Sequence, residues 1–499
     1  MIDHPPKPSG TKRNETKQIL PSVDVVKAIM MALLVAVALG GVGLVQVLFV
    51  EAVTTSYSPR DNHHNYYQGQ KKQTASIPTT TKTLGQITAH FGDPISIWNS
   101  IDTWHNCHLL DVPDIPTRAF AVVKNDSLNQ NNRNSTTTTT IIHMMQGSTS
   151  FHLMTGPTLW NVSRECEATR NSTQHPEPSM FAGDEYLDST FLLDKNGTVV
   201  ALVHTEYPGN RYDNCNLTTN NTGNYVYPYC WTVSLGLMVS HDFGYTWKHA
   251  RPPPHHLVAT VPYKYNSNQL ASGWGDPTNI VFHDNYYYVA MWNRNQVGLQ
   301  KPGVCMMRTA DLMDPSSWRA WNGSHYSVAF TSPYSHDFGV DGWDPADHIC
   351  TVLSWSENVE ISNNHPLDPT QCNPFGLTWY PAREIFVMTW ACMGGTGPFY
   401  WSYTRDLEDL IHKWSIPQSF YGQKDLPDAL QRRVTSMHYP SLLDASAPAV
   451  LDDPNYSTIG NYPHLFWVSF GHSPYVDGRS AWATPLRLGE EEIEPTLLS

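Results

Sequence analysis

Four positions carry carboxylates where chemistry would need them. Glu206 ends the apolar run TVVALVHTEY, and a charged side chain there must face solvent, a site or a partner. Asp114 in DIPTRAFAVV, the Asp184-Glu185 pair in DEYLDSTFLL and Asp276 in DPTNIVFHDNYYYVAMW each open a strand-like run. Alternation along a strand lets only one of Asp184 and Glu185 face a shared axis, and Glu185 is the preferred one. Carboxylates gathered at strand ends suit paired acid–base chemistry. In glycosidic-bond hydrolysis one group protonates the leaving oxygen and the other acts as base or nucleophile. A separation of about 5 Å gives retention and roughly 6.5–9.5 Å gives inversion. A third acid can tune the first. The plain alternative for Asp114 and Asp276 is a turn cap before a strand, a common use of Asp.

Basic and aromatic residues near these acids extend the candidate set. Arg118 alternates with apolar neighbours in DIPTRAF, and Arg211 follows Glu206 closely in EYPGNRY. Trp274 precedes Asp276 in GWG, and Tyr439 lies in SMHYPSLLD. These four are the expected substrate-binding side chains. Trp274, Tyr286, Tyr287, Tyr288, Trp292, Trp379 and Trp390 can stack on sugar faces, with packing between sheets as the competing use. No Cys/His spacing marks a metal site, His336-Asp337 and His255-His256 included. No cofactor is expected, and a structural calcium is the one ion left open.

The elements that would hold these residues are short. From about residue 90, apolar and aromatic runs of strand length alternate with turns: RAFAVV, TIIHMM, TVVALVH, YYYVAMW, EIFVMTW, HLFWVSF. None is long enough for an independent helix; RDLEDLIHKW and PDALQRRV read as single helical turns. Five units recur, opening at Asp114, Asp184, Asp276, Asn373 and Tyr439. A turn also recurs. SHDFGYTW, from Ser240 to Trp247, is echoed by Thr309-Ala310-Asp311 leading to Trp318 and by Thr404-Arg405-Asp406 leading to Trp414. In the first, Asp242 is expected to accept backbone N–H bonds one to three residues ahead, Gly244 to supply positive φ, and Trp247 to be half-buried. The pattern predicts an all-β, five-bladed β-propeller over residues 86–490, with six blades or a β-sandwich as alternatives.

SHDFGYTW matches the Asp box, S-x-D-x-G-x-x-W, of sialidases and other propellers. The Asp-Pro blade starts and the R-T-x-D-L…W turns resemble the five-bladed glycoside hydrolases of the arabinanase kind. DIPTRAF, LVHTEYPGNR and VCMMRTADLMDPSSWRAW also look similar to a group of microbial propeller proteins. The arabinanase resemblance implies a base or nucleophile at Asp114. The third unit offers Asp276 rather than a Glu, so the usual base–modulator–acid assignment does not carry over. A sialidase would need an arginine triad, for which Arg118, Arg308 and Arg383 are the candidates, and a Tyr nucleophile, for which Tyr439 is. No FRIP-like motif precedes them. The function these resemblances imply is glycoside hydrolysis; the alternative is a non-catalytic propeller that binds glycans or proteins.

The rest of the chain bears on location. Of 499 residues, 15% are charged, and the net charge is −14. With no basic patch to neutralise phosphates, nucleic acid is excluded as a partner. Residues 28–50 are uncharged and long enough to cross a bilayer core of roughly 30 Å. Five Lys/Arg residues precede this run, which favours a cytosolic N-terminus and a type II single-pass membrane protein of the secretory pathway, Golgi or cell surface. A cleavable signal peptide is the alternative. Residues 1–27 are read as a cytosolic tail and 51–85 as a polar stem. The Asn- and Thr-rich stretch 125–140 reads as a surface loop. Sequons begin at Asn125, Asn134, Asn161, Asn171, Asn196, Asn216, Asn220, Asn322 and Asn455, and all eight cysteines follow the apolar run. Both features fit export and disulfide formation, with Cys215–Cys230 the expected local pair.

Overall fold

The computed structural model describes residues 80–84, 87–99, 107, 113–127, 136–217, 230–335, 342–353, 372–392, 397–408, 414–471 and 478–490. The tail, the apolar run 28–50, nearly all of the expected stem and the His336-Asp337 pair lie outside them. No helix among the described residues is long and apolar enough to cross a membrane.

Five antiparallel meanders make up the described chain. Their innermost strands are Arg118–Ser127, Asp184–Leu192, Ser272–Gly275, Cys372–Tyr380 and Val434–Leu443. These are the five recurring units of the sequence, met in the same order. Each meander runs outward through successive hairpins, for example Asp184–Leu192 to Val199–Pro208 to Trp231–Ser240. The second and third are joined by a short parallel pairing, Thr232↔Ser272 and Val233↔Gly273. That approach requires glycine: Gly273 has φ +108°, and a Cβ there would lie 2.0 Å from the Val233 carbonyl oxygen.

Alternation explains how the meanders become blades of one ring. Ala119 and Ala121 pack against Phe466 and Ala483 of the fifth blade. Phe120 and Val122, on the opposite face, pack against Leu187 and Val199 of the second. Val200 and Leu202 in turn face Trp274 and Val289 of the third, whose cluster runs on to Leu377 and Trp390 of the fourth. Phe375 and Trp401 of the fourth meet Leu442 and Trp467 of the fifth. Both faces of each sheet are therefore buried, which is why these strands read as continuous apolar runs rather than as alternating ones. The architecture is a five-bladed propeller. Its ring is closed by the N-terminal strands Ile87–Phe91 and Ile95–Asn99, which pair with the last strand, Ser480–Glu490.

Three expectations about the periphery change. Thr80–Leu84, counted with the stem, pairs with Ile87–Phe91, so the sheet begins before residue 86. The stretch 125–140 is largely not a loop: Asn125↔Thr138, Asp126↔Thr137 and Ser127↔Thr136 continue the first hairpin, as β-branched Thr favours. Asn455 is no surface sequon. It is buried, with its amide bonded to both backbone groups of Leu192. Asn161, Asn171, Asn196, Asn216 and Asn322 are exposed, and the side chains of Asn125, Asn134 and Asn220 lie outside the described residues. Residues 428–431 form the single helical turn expected in PDALQRRV. All eight cysteines pair, as 107–166, 215–230, 305–350 and 372–392.

The SHDFGYTW turn joins the third strand of the second blade to its outer strand. Ser240 Oγ accepts from the Gly244 amide at 2.8 Å, and Asp242 accepts from the amide and hydroxyl of Thr246. The acceptor reach covers the Tyr245 amide, three residues ahead as expected, and extends to Thr246, the fourth. Gly244 has φ +86°, and Trp247 is fully buried rather than half-buried. The same place in the third and fourth blades repeats the hydroxyl contact: Thr309 and Thr404 accept from the amides of Asp311 and Asp406.

Candidate active site

A cavity of about 590 Å³ opens where the five inner strands begin. Asp114, Glu206 and Asp276, from three blades, all line it, together with Tyr439, Asn373, Tyr186, His204, Arg294 and Arg479. Each acid arrives there for a local reason. Asp114 precedes the first inner strand and is anchored by its amide to the Gly147 carbonyl at 2.9 Å. Glu206 lies near the end of the strand Val199–Pro208, on the same face as His204, two residues earlier. Asp276 follows Gly275 in the left-handed region, at φ 48°, and Tyr439 occupies the corresponding region at φ 59°. Backbone strain of this kind concentrates at sites where a side chain must be aimed.

His204 organises the acids. Its Nδ1 lies 2.9 Å from Asp188 and 3.7 Å from Asp276, and its Nε2 lies 3.0 Å from Glu206. Burial works against the imidazolium, but the Asp188 charge and the hydrogen bonds to Asp188 and Glu206 outweigh it and lift the pKa well above 6.5. Both ring nitrogens then donate. Asp276 also accepts from Asn373 Nδ2. Burial raises Asp276 to about 6, opposed by His204 and assisted by Asp188 and Glu206. Burial likewise raises Asp114 to about 6, against the pull of Arg479 and of the Tyr439 hydroxyl, which donates to it at 3.0 Å. Burial and the Asp114 charge hold the Tyr439 hydroxyl protonated. His438, pushed down to about 4 by burial and Arg479, is neutral.

Several expected site residues lie elsewhere. Glu185 is fully buried on the opposite face of its strand from Asp184 and Tyr186, where it bonds His249, Thr173 and Arg170. Arg211 pairs with Asp184 at 2.5 Å rather than with Glu206. Trp274 points away from the cavity into the core, because its neighbours Gly273 and Gly275 are the residues that face it. Arg118 is buried at the hub of the ring and donates to backbone carbonyls and Ser441. Burial lowers it to about 9, opposed by Asp188, so it keeps its charge at neutral pH. Arg118, Arg308 and Arg383 form no triad in the cavity: none lines it, and Arg308 pairs with Glu408 at a blade rim. Of the seven aromatics named for stacking, only Trp292 lines the cavity, beside Trp231, Phe375 and Phe470.

His204, Asp188, Arg294 and Arg479 escaped the sequence reading. His204 had a visible mark, its period-two spacing from Glu206. Asp188 had none. The register jumps from Val203↔Leu187 to Leu202↔Ser189, so Asp188 is a bulged residue without a cross-strand partner. The bulge re-aims its carboxylate at His204, a common use of bulges beside sites.

Two groups of side chains bring metal-ligating atoms within 4.8 Å of one another: Asp188, His204 and Asp276, and Glu185, His249 and His256. In each, an imidazole is already bonded to a carboxylate, and Arg170 sits 3.3 Å from Glu185. Hydrogen bonding accounts for both groups.

No protein-family model and no curated protein matches this chain. Among solved structures, it is similar to the α-L-arabinanase of Cellvibrio cellulosa, at 10% identity and a TM-score of 0.35, over 75% of this chain and 91% of that one. It is similar to the α-L-arabinofuranosidase of Lactobacillus brevis, at 8% identity and a TM-score of 0.37, over 74% and 90%. The exo-β-1,3-galactanase of Phanerochaete chrysosporium gives 10% identity and a TM-score of 0.36, over 73% and 59%.

Proposed function

We propose that this chain is a carbohydrate-active enzyme that hydrolyses glycosidic bonds. The observation that carries the proposal is the convergence of Asp114, Glu206 and Asp276 from three blades on one cavity. Turn-capping acids would be dispersed among the blades and satisfied locally. Asp114 and Asp276 instead bond across blades, to Tyr439 and to Asn373, and both are raised to about 6.

The chemistry assigns different work to each. Asp276 is the proton donor: burial and the charges of Asp188 and Glu206 all favour its acid form. Glu206, opposite the His204 imidazolium, is the base or nucleophile. Asp114, held by Tyr439 and Arg479, is the third acid that sets the charge around them. Trp231 is the tryptophan of the lining that suits stacking on a sugar ring, since the Arg294 guanidinium lies over Trp292.

Location is part of the same proposal. Four disulfides suit an oxidising compartment, and the uncharged run 28–50 suits a type II membrane anchor, so the head would meet glycans of the secretory pathway or cell surface. The test is turnover of a panel of chromogenic glycosides by the full chain. Cleavage of at least one is expected. Binding of glycans without cleavage of any would replace the enzyme with a receptor head.

A further inference from the structure

We infer that Arg118 is a positioning residue: one guanidinium at the ring's hub that sets the cavity groups of all five blades relative to one another. Arg118 belongs to the first blade, four residues after Asp114. Its Nε donates to the Asp188 carbonyl at 2.6 Å in the second blade. Nη2 donates to the Pro277 carbonyl of the third at 3.3 Å and the Phe375 carbonyl of the fourth at 2.7 Å. Nη1 donates to Ser441 Oγ of the fifth at 2.8 Å and to the Thr117 carbonyl at 3.3 Å.

Every acceptor lies next to a group of the cavity. Asp188 holds His204 with its own carboxylate. Pro277 follows Asp276, Phe375 lies two residues after Asn373, and Ser441 lies two after Tyr439. The fork geometry matters, because only a guanidinium presents five N–H donors in a plane, enough to reach four other blades at once. A lysine has three donors at a single point and cannot span them. The residue is buried, at 3% exposure, so the contacts are not shared with bulk water. Arg118 does not itself line the cavity; it acts through the segments that carry the cavity groups, the lining residue Phe375 among its acceptors. The catalytic consequence rests on the function proposed above; the geometric one does not.

The experiment follows the His204 imidazole by NMR in full chain labelled at histidine, its resonance identified by loss in His204→Gln. Arg118→Lys is compared with the parent and with Met306→Ala, a core truncation in the third blade remote from the cavity. In Arg118→Lys the His204 pKa is expected to fall by about one unit, because the Asp188 strand is released. Met306→Ala should lower stability and leave the titration in place. Ser441→Ala removes a single acceptor and serves if Arg118→Lys does not fold; it is expected to shift the titration of Asp114, read by NMR in full chain labelled at aspartate. An unchanged His204 titration in folded Arg118→Lys, or an unchanged Asp114 in Ser441→Ala when that variant alone folds, overturns the inference and leaves Arg118 as a staple only. If a glycoside is cleaved, Arg118→Lys should lower kcat and displace the pH profile with KM little changed. Absence of any turnover in the parent would count against the enzyme reading and leave the titration result standing.

Discussion

At the residue scale, three carboxylates surround one imidazolium, and this has a cost that can be measured. Asp276 has a native pKa of about 6 against an ordinary 3.8. The sign follows directly. Between those values the folded chain holds a proton the unfolded chain has lost, so stability falls as pH rises through that window. Above it the ionised group is a fixed burden, of order 1–3 kcal/mol. His204, also raised, acts with the same sign, and its main partners, Asp188 and Glu206, are present in parent and variant alike. Asp276→Asn, whose side chain tolerates the left-handed backbone, should therefore be more stable than the parent at pH 7.5 and equal to it near pH 4 in urea denaturation. A variant weaker at both values would show that Asp276 is held by favourable contacts instead. Asp114, Glu206 and Asp276 were legible in the sequence because a charge at an apolar strand's end has few places to go. The choice of Glu185 over Asp184 failed because alternation separates two faces without saying which meets the axis. Trp274 failed for the same reason, and Asp188 was hidden because a bulge leaves no mark in a sequence.

The scale of elements brings in the turns and hairpins. The hydroxyl–x–Asp turn recurs after the third strand of three consecutive blades, far from the acids in sequence; beyond its own bonds, the copy in the second blade bonds Gly197 and His143 through Phe243. It stabilises the outer edge rather than shaping the cavity. Asp242→Ala removes the acceptor for the Thr246 amide and hydroxyl, and should cost about 1–2 kcal/mol. Denaturation would read that loss, while the His204 titration should not move; a moved titration would tie rim to cavity. Strand-sized runs and five unit starts were readable because both blade faces are apolar. The Thr-rich hairpin was misread because low complexity hid a strand whose residues favour one.

For the molecule as a whole, closure of the ring is the controlling fact. The last strand is held between His464–Gly471 on one side and the N-terminal strands on the other. No local pattern announces such a pairing, since its partners are nearly four hundred residues apart in the chain. A chain truncated to begin after Asn99 loses three strands of the fifth blade, Thr80–Leu84, Ile87–Phe91 and Ile95–Asn99, and its clasp on the first. It should lose cooperative unfolding, as monitored by tryptophan fluorescence; a sharp transition at the parent's midpoint would mean the clasp is dispensable. The order of blades, by contrast, was legible because each unit restarts with a polar residue ahead of an apolar strand.

The central claim is that Glu206 does chemistry in this cavity. It is tested most directly by comparing the full chain with Glu206→Gln on whichever glycoside the parent cleaves. The expected result is a fall in kcat of about 10²–10⁴-fold, with the fold and glycoside binding retained. Equal turnover by a folded Glu206→Gln would contradict the account.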